Sequence, residues 1–198
     1  MKKIAKKSLS MIGGLTLMSL FTAPVFAAVV SPNAVQFSQG SIINTANGDS
    51  LTVDLIGSNF SSGPDGVAFS LAWDPSVLSY VQTSIANPPW DTSTVNASSA
   101  ASGLVDFVFL GKSVGDAGAN FALGSFTFNV VGGTGAQTTL SISNDPFNVG
   151  FVSPGAVPIS VNYLNSQVQV VPVPAAVWLF GTAIAGFAGM TQRRLVRL

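Results

Sequence analysis

All the negative side-chain charge of this 198-residue chain comes from eight aspartates, and glutamate, histidine and cysteine are absent. Without His or Cys there can be no Ser-His-Asp or Cys-His pair, no imidazole or thiolate zinc site, no CxxC redox pair and no disulfide. What remains for catalysis is a pair of carboxylates, the arrangement an Asp-based glycosidase would use. The sequence contexts argue against it. Asp49, Asp65, Asp116 and Asp145 sit in Asn-Gly-Asp, Pro-Asp-Gly, Gly-Asp-Ala-Gly and Asn-Asp-Pro, turn sequences that predict solvated turn residues.

Three further features invite chemistry. Gly48-Asp49-Ser50-Leu51 spells the nucleophile block of a GDSL-type esterase, but that hydrolase needs a base to take the serine proton and none is present. Asp116 and Asn120 are the pair best placed for a weak structural Ca²⁺, although no D-x-D-x-D-G loop exists. Trp90, in Asn87-Pro88-Pro89-Trp90-Asp91, reads either as a sugar-stacking platform or as a loop anchor tucked onto the edge of the fold. No enzyme activity, cofactor or metal centre is therefore expected.

The formal net charge is zero, yet the signs are segregated. Lys2, Lys3, Lys6 and Lys7 lie at one end and Arg193, Arg194 and Arg197 at the other, while residues 28–174 carry Lys112 against all eight aspartates, a net charge of −7. Such a segment does not bind a nucleic-acid backbone by charge. Residues 1–27 read as a secretory signal, with a lysine-rich start, an apolar run and Val25-Phe26-Ala27 before a signal-peptidase cut between Ala27 and Ala28. Residues 171–198 form a second processing segment: Pro172 and Pro174, an uncharged stretch predicting a transmembrane helix over 175–192, then the arginines. Eighteen helical residues reach about 27 Å, enough for the hydrocarbon core, and the arginines would hold the C-terminus in the cytoplasm.

That three-part tail resembles the PEP-CTERM sorting signal, with Val171-Pro172-Val173-Pro174-Ala175 similar to its VPLPA-type variant, although Val173 stands where the family has Glu or Leu. The resemblance implies an exosortase partner that processes the chain near the proline motif. It further implies a Gram-negative bacterium, an inner-membrane precursor, and a product at the cell surface or in an extracellular polysaccharide matrix.

Between the two ends, short alternating apolar runs are punctuated by Gly, Pro, Asn, Asp and Ser, which is an all-β pattern. Strands are predicted near 35–38, 51–58, 66–73, 78–83, 92–97, 104–111, 121–131, 138–143 and 166–170. About nine short strands over residues 28–170 predict a two-layer β-sandwich of jelly-roll type. Period-two counting puts Val67, Phe69, Leu71 and Trp73 on the core side of one strand, and Phe126, Phe128 and Val130 on that of another. In Leu104–Leu110 it puts Val105, Phe107 and Phe109 on one face. Leu104, Val108 and Leu110 are left on the other, to be covered by a loop of the same chain or exposed as a binding patch.

This middle region resembles a cohesin domain. The residues that carry the likeness are Asn47-Gly48-Asp49-Ser50-Leu51-Thr52-Val53, then Gly66-Val67-Ala68-Phe69-Ser70-Leu71-Ala72-Trp73-Asp74-Pro75-Ser76-Val77-Leu78, and Leu123-Gly124-Ser125-Phe126-Thr127-Phe128-Asn129-Val130 before Thr138-Thr139-Leu140. The resemblance implies a non-catalytic binding or scaffolding module whose partner docks on the outer face of one sheet. That face would map onto Ala68, Ser70 and Ala72, then Leu104, Asp106 and Val108, and then Leu123, Ser125, Thr127 and Asn129. The expected partner is a dockerin-like or matrix protein, with extracellular polysaccharide, bound through Trp90, as the alternative.

Overall fold

The computed structural model describes residues 31–145, 147, 150–172 and 182. The expected signal segment 1–27, its cleavage site at Ala27 and Ala28, most of the expected helix 175–192 and the arginines at 193, 194 and 197 lie outside the described residues. No helix among the described residues is long and apolar enough to cross a membrane.

In chain order the strands are β1 (Ala34–Phe37), β2 (Ile42–Thr45), β3 (Ser50–Ser58), β4 (Gly66–Ala72), β5 (Leu78–Ile85), β6 (Thr92–Asn96), β7 (Leu104–Gly111), β8 (Phe121–Val130), β9 (Gln137–Asn144), β10 (Phe151–Ser153), β11 (Val157–Ile159), β12 (Asn162–Leu164) and β13 (Ser166–Val170). They form two sheets. One runs β12-β1-β3-β8-β5; the other runs β11-β10-β4-β9-β13-β2, with β7 on β4 and β6 on β7. Most pairs are antiparallel, but β1 runs parallel to β12 and β2 parallel to β13. One edge of β4 is taken by β7 along its length, and the other is shared by β10 at Gly66 and Val67 and by β9 from Phe69 to Ala72.

The two layers meet through side chains that alternate along the strands. Val53 and Leu55 of β3, and Phe126, Phe128 and Val130 of β8, are buried against Val67, Phe69 and Leu71 of β4 and Leu140 and Ile142 of β9. Phe69 meets Phe126 edge-on at 6.3 Å, and Trp73 meets Phe128 edge-on at 5.0 Å while its indole N–H donates to the Leu78 carbonyl at 2.8 Å. Each such large apolar side chain removed from water stabilises the sandwich by about 1.5–3 kcal/mol.

All nine expected strands are present, with ends shifted by at most a few residues, and the assigned core faces of β4 and β8 hold. Four short strands, β2, β10, β11 and β12, were not anticipated. They have three or four residues each, too few to show a period, and β11 contains Pro158, which argues against a strand until its edge position is known.

The face assignment in β7 is overturned. The register slips between Phe69 and Leu71, so that Ser70 stands opposite both Asp106 and Phe107, a β-bulge that puts one extra residue into β7. Past that residue the alternation is inverted. Val105, Val108 and Leu110 are all fully buried in the core, and the aromatic rings of Phe107 and Phe109 are left on the outer face.

Candidate protein-docking face

The aromatic patch on the outer face of the eight-stranded sheet is built from two elements. The first is β7, whose bulge turns Phe107 and Phe109 outward with their rings nearly parallel, 6.3 Å apart at an interplanar angle of 7°. The bulge is held by the Ser70 hydroxyl, which donates to the Asp106 carbonyl at 2.6 Å, while the Asp106 carboxylate accepts the Ser99 backbone N–H at 3.2 Å. The second element is the turn after β9. Asp145 is only 2 % exposed, and its carboxylate accepts the backbone N–H groups of Phe147 at 3.0 Å and Gly150 at 3.4 Å. The Ala68 N–H donates to the Gly150 carbonyl at 2.7 Å and fastens this turn to β4. Phe147 thereby stands over β7, perpendicular to Phe107 at 6.1 Å and 77 % exposed.

The cause of this arrangement lies in the alternate residues of β4. Ala68 and Ser70, on its outward side, are small and buried, so neighbouring aromatic rings and the turn can settle over them. The covering loop expected over Leu104, Val108 and Leu110 is not what forms, because Val108 and Leu110 lie in the core; the turn stands instead against Phe107, and Phe147 on it is apolar and exposed. Behind the turn, the Tyr163 hydroxyl donates to Asn144 Oδ1 at 2.5 Å. Burial, and then the Asp145 carboxylate nearby, push its pKa up to about 12.

The ten residues expected to form one partner face do not lie together. Ala68, Ser70, Ala72, Leu104 and Asp106 belong to β4 and β7 of the eight-stranded sheet, whereas Ser125, Thr127 and the neighbouring Asn129 belong to β8 of the other layer. Val108 and Leu123 are fully buried core residues. The β7 bulge turns Val108 inward. Leu123 is the extra residue at a second register slip, where Leu55 pairs with Gly124 and Ile56 with Ala122. Gly124 is required there, because a Cβ would lie 2.4 Å from the Ser84 carbonyl oxygen.

Trp90 is no sugar platform. It is 2 % exposed, its indole N–H donates to the Ala122 carbonyl at 2.7 Å, and its ring meets Phe121 edge-on at 5.7 Å. It is a loop anchor that plugs the edge where the chain passes from β5 to β6. Asp116 Oδ1 accepts the Gly118 N–H at 2.8 Å and Asn120 Oδ1 accepts the Asn59 N–H at 3.1 Å, so each has its own backbone donor. Among the described residues no group of three or more His, Cys, Asp or Glu gathers as a metal site.

Four other carboxylates are engaged locally as well: Asp49 with Ala46, Asp54 with Ser125, Asp74 with Ser76, and Asp91 with Ser113. Hydrogen bonds from Ser76, and from Ser113 with Lys112 nearby, hold the pKa values of Asp74 and Asp91 below the usual carboxylate value. Ser50 opens strand β3 just after the turn at Gly48, φ +87°, in an all-β layer, which leaves the esterase-like tetrapeptide no helix to stand on. Asp145 corrects the expectation of solvated turn aspartates. The sequence reading also passed over Phe147; the signal available was an aromatic residue directly after an Asn-Asp-Pro turn.

At the C-terminal boundary, the Val171 N–H donates to the Thr45 carbonyl at 2.8 Å and Pro172 is exposed. Val173, Pro174 and Ala175 of the proline motif lie outside the described residues.

No protein-family model matches the sequence, and no curated protein matches it. Solved structures do. The sixth cohesin of scaffoldin B from Acetivibrio cellulolyticus, solved in complex with a dockerin, superposes with a TM-score of 0.57 at 18 % identity, covering 71 % of this chain and 99 % of that one. A type I cohesin–dockerin complex from Clostridium thermocellum gives 0.59 at 15 % identity, covering 72 % and 95 %. A type III cohesin module from a cell-surface anchoring scaffoldin of Ruminococcus flavefaciens gives 0.54 at 11 % identity, covering 71 % and 87 %. The domain is therefore cohesin-like in fold. The likeness spans nearly the whole of those modules.

Proposed function

We propose that this chain is an exported, non-catalytic cohesin-like module that binds a dockerin-like or matrix protein through the outer face around Phe107, Phe109 and Phe147. The carrying observation is that patch. Phe147 is 77 % exposed on a turn that the buried Asp145 carboxylate holds in place. A folded chain that orders a large exposed aromatic side chain against Phe107, itself stacked on Phe109, provides a preformed anchor of the kind that concentrates binding energy at protein interfaces. The solved cohesins of similar fold include modules seen with dockerins, which supports a protein as the partner. A Phe107→Ala, Phe147→Ala double variant should lose retention on the cell surface by tenfold or more while remaining folded. Unchanged retention would remove this face from the account.

Export and sorting complete the proposal. The signal-like start delivers the chain to signal peptidase, and the proline motif, apolar segment and arginines hold it in the inner membrane until an exosortase acts. What supports this reading is the pattern of the two ends, together with a sandwich that still holds Val171 through the Thr45 carbonyl while Pro172, the next residue, is exposed.

A further inference from the structure

On the same sheet, away from the aromatic patch, β4, β9 and β13 line a solvent-open cleft of about 580 Å³ whose walls include Asp74, Gln137, Thr139, Ser141 and Gln167. We propose that this cleft binds a neutral, linear polysaccharide segment. Its chemistry is unusual for a pocket of this size, since most ligand pockets in the range of about 300–1,000 Å³ are lined by apolar and aromatic side chains. Here the outward rows are carboxamides and hydroxyls, because the alternate residues of β9 and β13, among them Leu140 and Val168, face the core.

The carboxamides are ordered in advance. Gln167 Nε2 donates to Gln137 Oε1 at 2.9 Å and Gln169 Nε2 donates to Gln167 Oε1 at 3.3 Å. The chain of amides runs across neighbouring strands, with Thr139 opposite Gln167 and Gln137 opposite Gln169 in the ladder. An amide presents both donor and acceptor, as a sugar hydroxyl does, and each amide in this chain keeps hydrogen-bonding capacity beyond the bond that orders it. Prior ordering lowers the entropy lost when a ligand binds.

Strand spacing sets the repeat. Adjacent strands lie about 4.8 Å apart, close to the length of one pyranose residue in an extended glycan, so successive sugars can meet successive strands. Charge sets the class. Asp74 borders the cleft as a carboxylate, Lys112 is the one cation of residues 28–174, and their net charge is −7, so an acidic polysaccharide is repelled. A peptide would need a free strand edge, an apolar groove or a basic cluster, and this cleft is a polar sheet face.

The test is isothermal titration of the full chain, held in a detergent without a sugar headgroup, with cellohexaose, xylohexaose, mannohexaose and oligogalacturonate. At least one neutral hexasaccharide should bind with a millimolar or tighter Kd, and the acidic oligomer should bind none or more weakly. A Gln137→Ala, Gln167→Ala double variant should weaken that binding at least tenfold. Gln167→Glu, which keeps the side-chain shape and has its own thermal unfolding curve as a fold check, should weaken it as well, and Phe147→Ala should leave it unchanged. Absence of heat with all three neutral sugars, equal binding by folded cleft variants, a preference for the acidic oligomer, or loss of binding in Phe147→Ala would each overturn the proposal.

Discussion

The Ser70 hydroxyl donates a 2.6 Å hydrogen bond to the Asp106 carbonyl across the eight-stranded sheet, and this contact sits where β7 gains its extra residue. The bulge sends Val108 into the core and Phe107 to the surface. Ser70→Ala would leave a carbonyl in a largely buried bulge short of its donor, which costs about 1–3 kcal/mol. The expected outcome is a lower denaturant midpoint with an unchanged slope. A loss of aromatic-patch binding larger than the loss of stability would show that the bulge also aims Phe107.

Asp145 fixes the turn that carries Phe147. Asp145→Ala removes the acceptor of the Phe147 and Gly150 N–H groups in a site only 2 % exposed, and hydrogen bonds to a charged acceptor contribute about 1.5–3 kcal/mol. Hydrogen exchange at those two amides should rise well above the change seen at the β3 and β8 amides. Equal acceleration everywhere would mean that Asp145 supports the whole sandwich rather than the turn.

Trp90→Ala should destabilise by about 3–5 kcal/mol, the range for emptying a large aromatic site in a core, because the ring is buried and its N–H is bonded to Ala122. Glycan binding by whatever fraction remains folded should be intact. A variant of native stability that had lost sugar binding would restore Trp90 as a ligand platform.

Tyr163 gives an alkaline signature. Its folded pKa is pushed up to about 12 from the ordinary value of 10.0, so the neutral hydroxyl is favoured by folding. The stability it contributes is complete below about pH 10 and is lost as pH rises towards 12. Thermal unfolding from pH 9 to 12 should show a steeper decline for the wild type than for Tyr163→Phe, and parallel curves would contradict the assignment. The side chain is only partly buried, so a difference of a few degrees is expected rather than a collapse.

How much of this could be read from the sequence depends on the element. Large apolar residues alternate with small or polar ones from Val67 to Trp73 in and just after β4 and from Phe126 to Val130 in β8, long enough for the period to fix both existence and core face. In β7 the same counting failed because it assumes that each residue advances the chain by one face, and a bulge breaks that assumption. A hint was present: Asp106 sits in the middle of an apolar run, Leu104 to Leu110, that neither simple alternation divides into a polar and an apolar face. Asp145 was misplaced as a surface residue, and Trp90 was left open between platform and anchor, for a related reason. Their Pro-rich and Asn-Asp-Pro surroundings are turn sequences, and burial of a turn residue is decided by elements distant in the chain, such as Ala122 for Trp90. The acidic middle segment and uncharged sheet faces were legible, but which side chains share a face required the pairing of strands.

The most direct test of the docking account is site-specific photo-crosslinking on the cell surface, with p-benzoylphenylalanine in place of Phe147 and, in a second chain, in place of Thr127 on the opposite layer. The account predicts a discrete protein adduct from position 147 that disappears when Phe107→Asp is added, with none from position 127. An adduct from position 127 and none from 147 would contradict it.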